Sequence, residues 1–349
     1  MKKSHAIFST LLVVFALEAK AQEKLPLKLI ATTPLPKLVG DLEFFAPDLK
    51  GNRLFLCAEN SKTVEVFNLR TGKWIRSIPG FGEPHDIVYL PDTNNLIVSD
   101  GGDDFGWVYL VSGTTYKIID KIKLPNAVDE AVFDPLHKYF YVESGSAEPD
   151  GGKTHLINII DTKNFKLLGN IALPGKSSSA MAVDRAAEKL YVNNSSTSEV
   201  LVVDLRTRQV SARWPIPGAH GLNGIGLDEA NHRLFSATRD PAKFWVLNSD
   251  TGKVVATLPC AVYNDHMIFD APRKRIYITG TDTATVIEQR DADHYEVRAE
   301  VPTGYRAKTS ILVPELNRFY VALSGKDMSG KPLLKPGVQM AIKIYEVLP

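Results

Sequence analysis

Seven stretches of this chain repeat one another at intervals of 42 to 50 residues, and that recurrence limits the fold more than any other feature. Each copy opens with an apolar strand and a turn holding Asp or Pro. These read EFFAPD from Glu43, IVYLPD from Ile87, AVFDP from Ala131, MAVD from Met181, IGLD from Ile225, MIFDAP from Met267 and ILVPE from Ile311. A second strand follows, anchored by Phe55, Ile97, Tyr141, Tyr191, Phe235, Tyr277 and Tyr320. A third then ends at Asn68, Val111, Asp161, Asp204, Asn248, Gln289 and Glu346. The fourth begins after a polar turn, as in RTGKWIRSIPG and DTGKVVATLPC, where Gly72 and Gly252 offer the positive φ of a hairpin. Strands rich in Val, Ile, Tyr and Phe, with turn signals every few residues and no long amphipathic helix, argue for an all-β chain. A four-stranded unit of this length repeated seven times predicts a seven-bladed β-propeller with antiparallel blades. An irregular β-sandwich would leave so regular a period unexplained.

The seventh copy is incomplete. After AIKIYE the sequence stops at Pro349, which leaves the last blade without its fourth strand. Near the start, Leu27 to Pro34 reads LKLIATTP, close to VVATLP of the fifth copy. The expectation is that this segment pairs onto the seventh blade from outside, closing the ring and covering an exposed sheet edge.

The residues before it read as a targeting segment. Lys2 and Lys3 precede an apolar run from Ala6 to Leu17, and Ala19-Lys20-Ala21 supplies a small-x-small site, so cleavage is expected before Gln22. The apolar run falls short of the roughly 20 residues a membrane span needs. The expected organisation is a signal peptide over 1–21 and one propeller domain over 22–349, exported to the periplasm or secreted, with no membrane span, as a monomer. Losing Lys2, Lys3, Lys20 and Glu18 turns 41 basic and 40 acidic residues into 38 and 39, a net charge of −1. Such a chain has no global field to gather polyanions, so charge gives nucleic-acid binding no support. Cys57 and Cys260 fall about four blades apart, too far for a bridge, and are read as buried small apolar residues.

Leu190-Tyr191-Val192-Asn193-Asn194 and Ile276-Tyr277-Ile278-Thr279-Gly280 carry a recurring Tyr-Val-Thr-Asn-like pattern, followed by VLVVDLRTRQV in one copy and, after the fifth copy's second strand, FWVLNSDTGKVVATLP. In these units the chain resembles the YVTN-repeat (YncE-like) family of exported propellers, over essentially everything after the targeting segment. The resemblance implies seven blades and export; it implies little chemistry, since many members have no established activity. The first, second and seventh copies depart from the pattern at its Thr-Asn end, where Ala58, Ser99 and Ala322 stand.

Propellers bind ligands mainly on the face carrying the loops that lead into the innermost strands. Aligning the copies on their Asp/Pro turns puts Asp41, His85, Asp129, Ser179, Asn223, Asp265 and Lys308 at one ring position. The next holds Leu42, Asp86, Glu130, Ala180, Gly224, His266 and Thr309. The candidate ligand-binding residues at the channel mouth are therefore Asp41, His85, Asp86, Asp129, Glu130, Asn223, Asp265, His266 and Lys308. Carboxylates with imidazole around an axis suit a divalent metal ion, with His85, Asp129 and Asp265 as candidate ligands; a hydrated polar mouth needs no such ion. Loops on the same face carry Asp100, Asp103, Asp104, Glu148 and Asp150 in Gly-rich surroundings, hard oxygen ligands without the spacing of an EF-hand. Tyr305, Arg306 and Lys308 would face an anion above the seventh blade, or serve packing. Trp74, Trp107, Trp214 and Trp245 are read as packing between blades rather than base-stacking platforms.

No nucleophile elbow, Cys-x-x-Cys pair, haem-attachment motif or P-loop is present. The preferred reading is an exported binding or interaction module for a small molecule or an envelope protein, with no catalytic residue assigned. Two alternatives stand beside it: a metal-dependent hydrolase or lyase acting on a small envelope or sugar-derived ligand, and a nucleic-acid-binding propeller.

Overall fold

The computed structural model describes residues 25–102, 105–145, 153–325 and 340–349. The targeting segment, Asp103, Asp104, Glu148, Asp150 and the stretch 326–339 lie outside the described residues. Seven antiparallel four-stranded sheets form the blades. The innermost strands of successive blades touch one another around the full circle. Helix among the described residues amounts to three single 3-10 turns, Glu229–Asn231, Ala271–Arg273 and Pro314–Leu316.

The second and third strands of each blade are near-continuous apolar runs because both of their faces are buried. In the first blade, Leu54 and Leu56 of Arg53–Ala58 pack toward the seventh blade with Tyr320 and Ile344. Phe55 and Cys57, on the opposite face of the same strand, pack toward the second blade with Ile87, Leu96 and Val98. The same alternation gives seven apolar clusters, one at each junction between neighbouring blades. Every second-strand anchor named above is at most 3% exposed. The hairpin glycines Gly72 and Gly252 adopt φ of 69° and 73°, as the fourth-strand turns require.

The N-terminal strand closes the ring as expected. Leu27–Pro34 pairs antiparallel with Ala341–Val347, Leu27 opposite Val347 and Pro34 opposite Ala341. The seventh sheet is thus made from both ends of the described chain. Cys57 and Cys260 are buried and unbridged. The tryptophans do not all share one role. Trp245 is buried, but Trp74, on an outermost strand, is 52% exposed and donates through Nε1 to the buried carboxylate of Glu65 at 2.7 Å. A fourth strand has only one covered face, so an aromatic there need not pack between blades.

Candidate functional site

The residues expected at the channel mouth sit where the innermost strands begin, and in three blades a backbone irregularity places them. The pairing of Pro84–Leu90 with its neighbour shifts register between Pro84 and Ile87, so His85 and Asp86 occupy a bulge. The same shift falls between Val128 and Ala131, at Asp129 and Glu130, and between Leu222 and Ile225, at Asn223 and Gly224. A bulge breaks the in-out alternation of a strand and re-aims a side chain. In the first and sixth blades, Asp41 and the pair Asp265-His266 precede the strand instead, as Lys308 does in the seventh.

The position after the motif tyrosine's neighbour holds these mouth residues in place. Asn193 is fully buried and donates to the carbonyls of Asn223 and Gly224, both at 3.0 Å. Thr279 donates to the carbonyl of Lys308 at 2.8 Å. Ser99 accepts from the backbone N–H of Asp86 at 2.9 Å and reaches the carbonyl of Asp129 at 3.5 Å. The polar end of the repeat motif therefore ties one blade to the mouth residue of the next.

From the fifth blade round to the first, the mouth is a chain of ion pairs. Asp265 accepts from Asn223 and Arg239 at 3.0 Å each and from Lys308 at 2.7 Å. Lys308 also donates to Glu43 at 3.0 Å, and Arg306 makes a two-pronged contact with Asp41 at 2.8 and 3.0 Å. Burial works against the charge on Asp265, but Lys308 and Arg239 outweigh it and hold the carboxylate well below its usual range. Asp41 is likewise lowered, by Lys308 and Arg306 against burial. One ammonium shared between two carboxylates leaves Glu43 the less well served, and burial pushes it up to about 8. Arg306 and Lys308 are thus already paired with carboxylates, which answers the expectation that they face an anion.

Through the second and third blades the balance is acidic. His85 Nδ1 lies 3.2 Å from Asp129, and that carboxylate raises the imidazole to about 9 although burial opposes the charge. Asp86 accepts from the N–H groups of Ile87 and Ala131 at 2.6 and 3.0 Å, yet burial lifts it to about 8. Burial, with Asp129, Asp265, Asp86 and Glu43 adding repulsion, drives Glu130 well above its ordinary value. The expected cation trio is divided: His85 and Asp129 meet, whereas Asp265 is engaged by Lys308, Arg239 and Asn223. Among the described residues the sets that bring three ligand atoms within 4.8 Å are Glu59, Glu83 and His85, and Asp41, Glu43 and Glu59. Asp100, read as a hard oxygen ligand, is buried and accepts from the N–H groups of Gly82, Glu83 and Gly102.

A cavity of about 160 Å³ opens at this mouth, lined among others by Phe44, Glu130, Met181, Asp265, His266 and Met267. Gly224 forms part of its wall because a Cβ there would come within 2.8 Å of Met267 and 3.1 Å of the Asp265 carbonyl. Sequence reasoning missed Glu43, Phe44, Arg239 and Met181; all but Arg239 lie within two residues of an aligned ring position, which is the signal that would have found them.

No family model matches the chain. The "Uncharacterized protein YncE" of Salmonella typhimurium is 24% identical over 188 residues, 53% of this chain and 52% of that protein. The YncE of Salmonella typhi is 23% identical over the same length. The chain is a seven-bladed β-propeller similar in sequence to YncE. This propeller also resembles the "Antigen Lp49" of Leptospira interrogans, 21% identical over 276 residues, 76% of this chain and 58% of the relative. The chain spans about half the length of the curated relatives it matches. A chain of the mitotic checkpoint complex superposes with a TM-score of 0.73 at 13% identity, covering 99% of this chain and 100% of that one. Kuenenia stuttgartiensis hydrazine synthase gives 0.70 at 18% identity, covering 88% and 97%. These likenesses establish the fold alone. Among the described residues, no helix is long and apolar enough to cross a membrane.

Proposed function

We propose that this propeller is an exported binding module whose site is the mouth of its central channel, and that it takes a small molecule there rather than catalysing a reaction. Five blades contribute to the walls of the 160 Å³ cavity, through Phe44, Glu130, Met181, Gly224 and His266 among others, and this convergence carries the reading. Export rests on the basic and apolar character of residues 1–21 and their small-x-small end. The metal-dependent hydrolase has less behind it, because Asp265 is committed to three donors of the protein itself.

The test fills the cavity. Ala180 lines it, and Ala180→Phe should occlude it while leaving the junctions between blades intact. Compounds from an envelope extract that co-purify with the wild-type chain, read by native mass spectrometry, should be lost from the variant. Ligands retained equally by both proteins would move the binding site away from the mouth.

A further inference from the structure

The polar groups lining the cavity are not equally occupied. Asp265 has its oxygens on Asn223, Arg239 and Lys308. Glu130 makes no hydrogen bond or ion pair among the described residues. His266 holds Ser310 through Nδ1, 3.1 Å from its carbonyl oxygen and 3.3 Å from its N–H, while Nε2 is buried without a partner among those residues. Burial lowers the affinity of this imidazole for a proton, against the pull of Asp265. Glu130 thus borders a space whose other walls include Phe44, Met181, Ile225, His266 and Met267. The Phe44 ring lies 4.5 Å from the His266 ring.

Charge points the same way. Asp41, Glu43, Asp86, Asp129, Glu130 and Asp265 face Arg239, Arg306, Lys308 and His85 across the mouth, and each of these four is already engaged by a carboxylate. No cation of the described chain serves Glu130. A ligand suited to these walls carries N–H donors and positive charge at one end and a short apolar stem at the other.

We propose that the cavity receives a primary alkylammonium group, with its ammonium on Glu130 and its aliphatic stem against Phe44, Met181 and Met267. A cation beside an aromatic face and a carboxylate gains from both. This deepens the reading of the mouth as a ligand site and rests on it. The ammonium would replace the proton that Glu130 otherwise holds, so binding releases a proton. Asp129, Asp265, Asp86 and Glu43 crowd Glu130 with negative charge, and His266 lines the same cavity from the sixth blade. Affinity therefore rises with pH while Glu130 is protonated in the free protein, by up to about tenfold per unit.

Calorimetric titration of the full chain with n-butylamine tests this, with N-butylacetamide as the uncharged analogue and calcium chloride as the competing cation. The expected result is saturable n-butylamine binding that strengthens as the pH is raised, with no binding of the acetamide. Glu130→Gln should weaken it by about ten- to a hundredfold without lowering the melting temperature. A lysine side chain is the other source of the same group. Nα-acetyl-lysine amide binding as tightly as n-butylamine would extend the site to peptides. The proposal is overturned if the acetamide binds equally, if Glu130→Gln binds as the wild type does, if calcium binds and the amine does not, or if no amine binds at millimolar concentration. In any of these cases, extract-derived ligands that Ala180→Phe still excludes would leave the mouth as the site and remove only its ligand class.

Discussion

His85 shows how one side chain can set a pH response. Its imidazole sits beside Asp129 and titrates near 9, against about 6.5 in an unfolded chain. The protonated form is favoured by folding, so its contribution is complete below pH 6.5 and is lost as pH rises through 9, amounting to about 3 kcal/mol. Glu43 and Asp86, lifted to about 8 mainly by burial, act in the same direction. Each is more easily protonated in the folded chain, so stability falls as pH climbs from about 4 through 8. The chain should melt at a lower temperature at pH 9 than at pH 6, and His85→Gln should flatten the alkaline part of that fall. An unchanged slope in the variant, followed by circular dichroism, would remove His85 from the account. The identity of His85 was readable by aligning the repeats. Its pairing with Asp129 was not, because it depends on two bulges in neighbouring blades.

At the level of strands, the junction between the seventh and first blades carries polar fastenings beside its apolar cluster. Leu42 donates its N–H to Ser324 Oγ at 3.0 Å, Thr309 donates to the Leu42 carbonyl at 2.7 Å, and Gly325 donates to the Gly40 carbonyl at 2.8 Å. The pairs Arg306–Asp41 and Lys308–Glu43 cross the same junction. Outside them lies Leu27–Pro34, which covers the edge of Ala341–Val347. Removing residues 25–34 should expose that edge, lower the melting temperature and promote association through unpaired backbone groups. Supplying a peptide of sequence LKLIATTP in trans should reverse both effects, as seen by size-exclusion chromatography. A truncated chain that stays monomeric and melts like the full one would show that the ionic fastenings close the ring alone. The N-terminal strand could be found from sequence because it resembles a fourth strand. The fastenings could not, since their partners stand some 265 residues or more apart.

For the molecule as a whole, the seven apolar clusters each join two blades and none belongs to a single blade. Opening any junction exposes two apolar faces, so no blade is expected to unfold alone. Trp74, Trp107, Trp214 and Trp245 lie in the first, second, fourth and fifth blades. Their fluorescence should change in urea in one transition coincident with the loss of strand signal; separated transitions would mean the ring opens in parts. By itself the sequence determined the number of blades, the strand order and the strand that closes the ring. These follow from local periodicity and turn chemistry, which seven copies repeat. It also aligned Asp41, His85, Asp129, Asn223, Asp265 and Lys308 at one ring position, because equivalent positions in a repeat share a face. The tertiary structure alone decided which of those residues act together. Side chains from different blades meet only across the closed ring, so the pairing of Asp265 with Lys308 and Arg239, and the unpaired state of Glu130 among the described residues, depend on distances that no repeat period encodes.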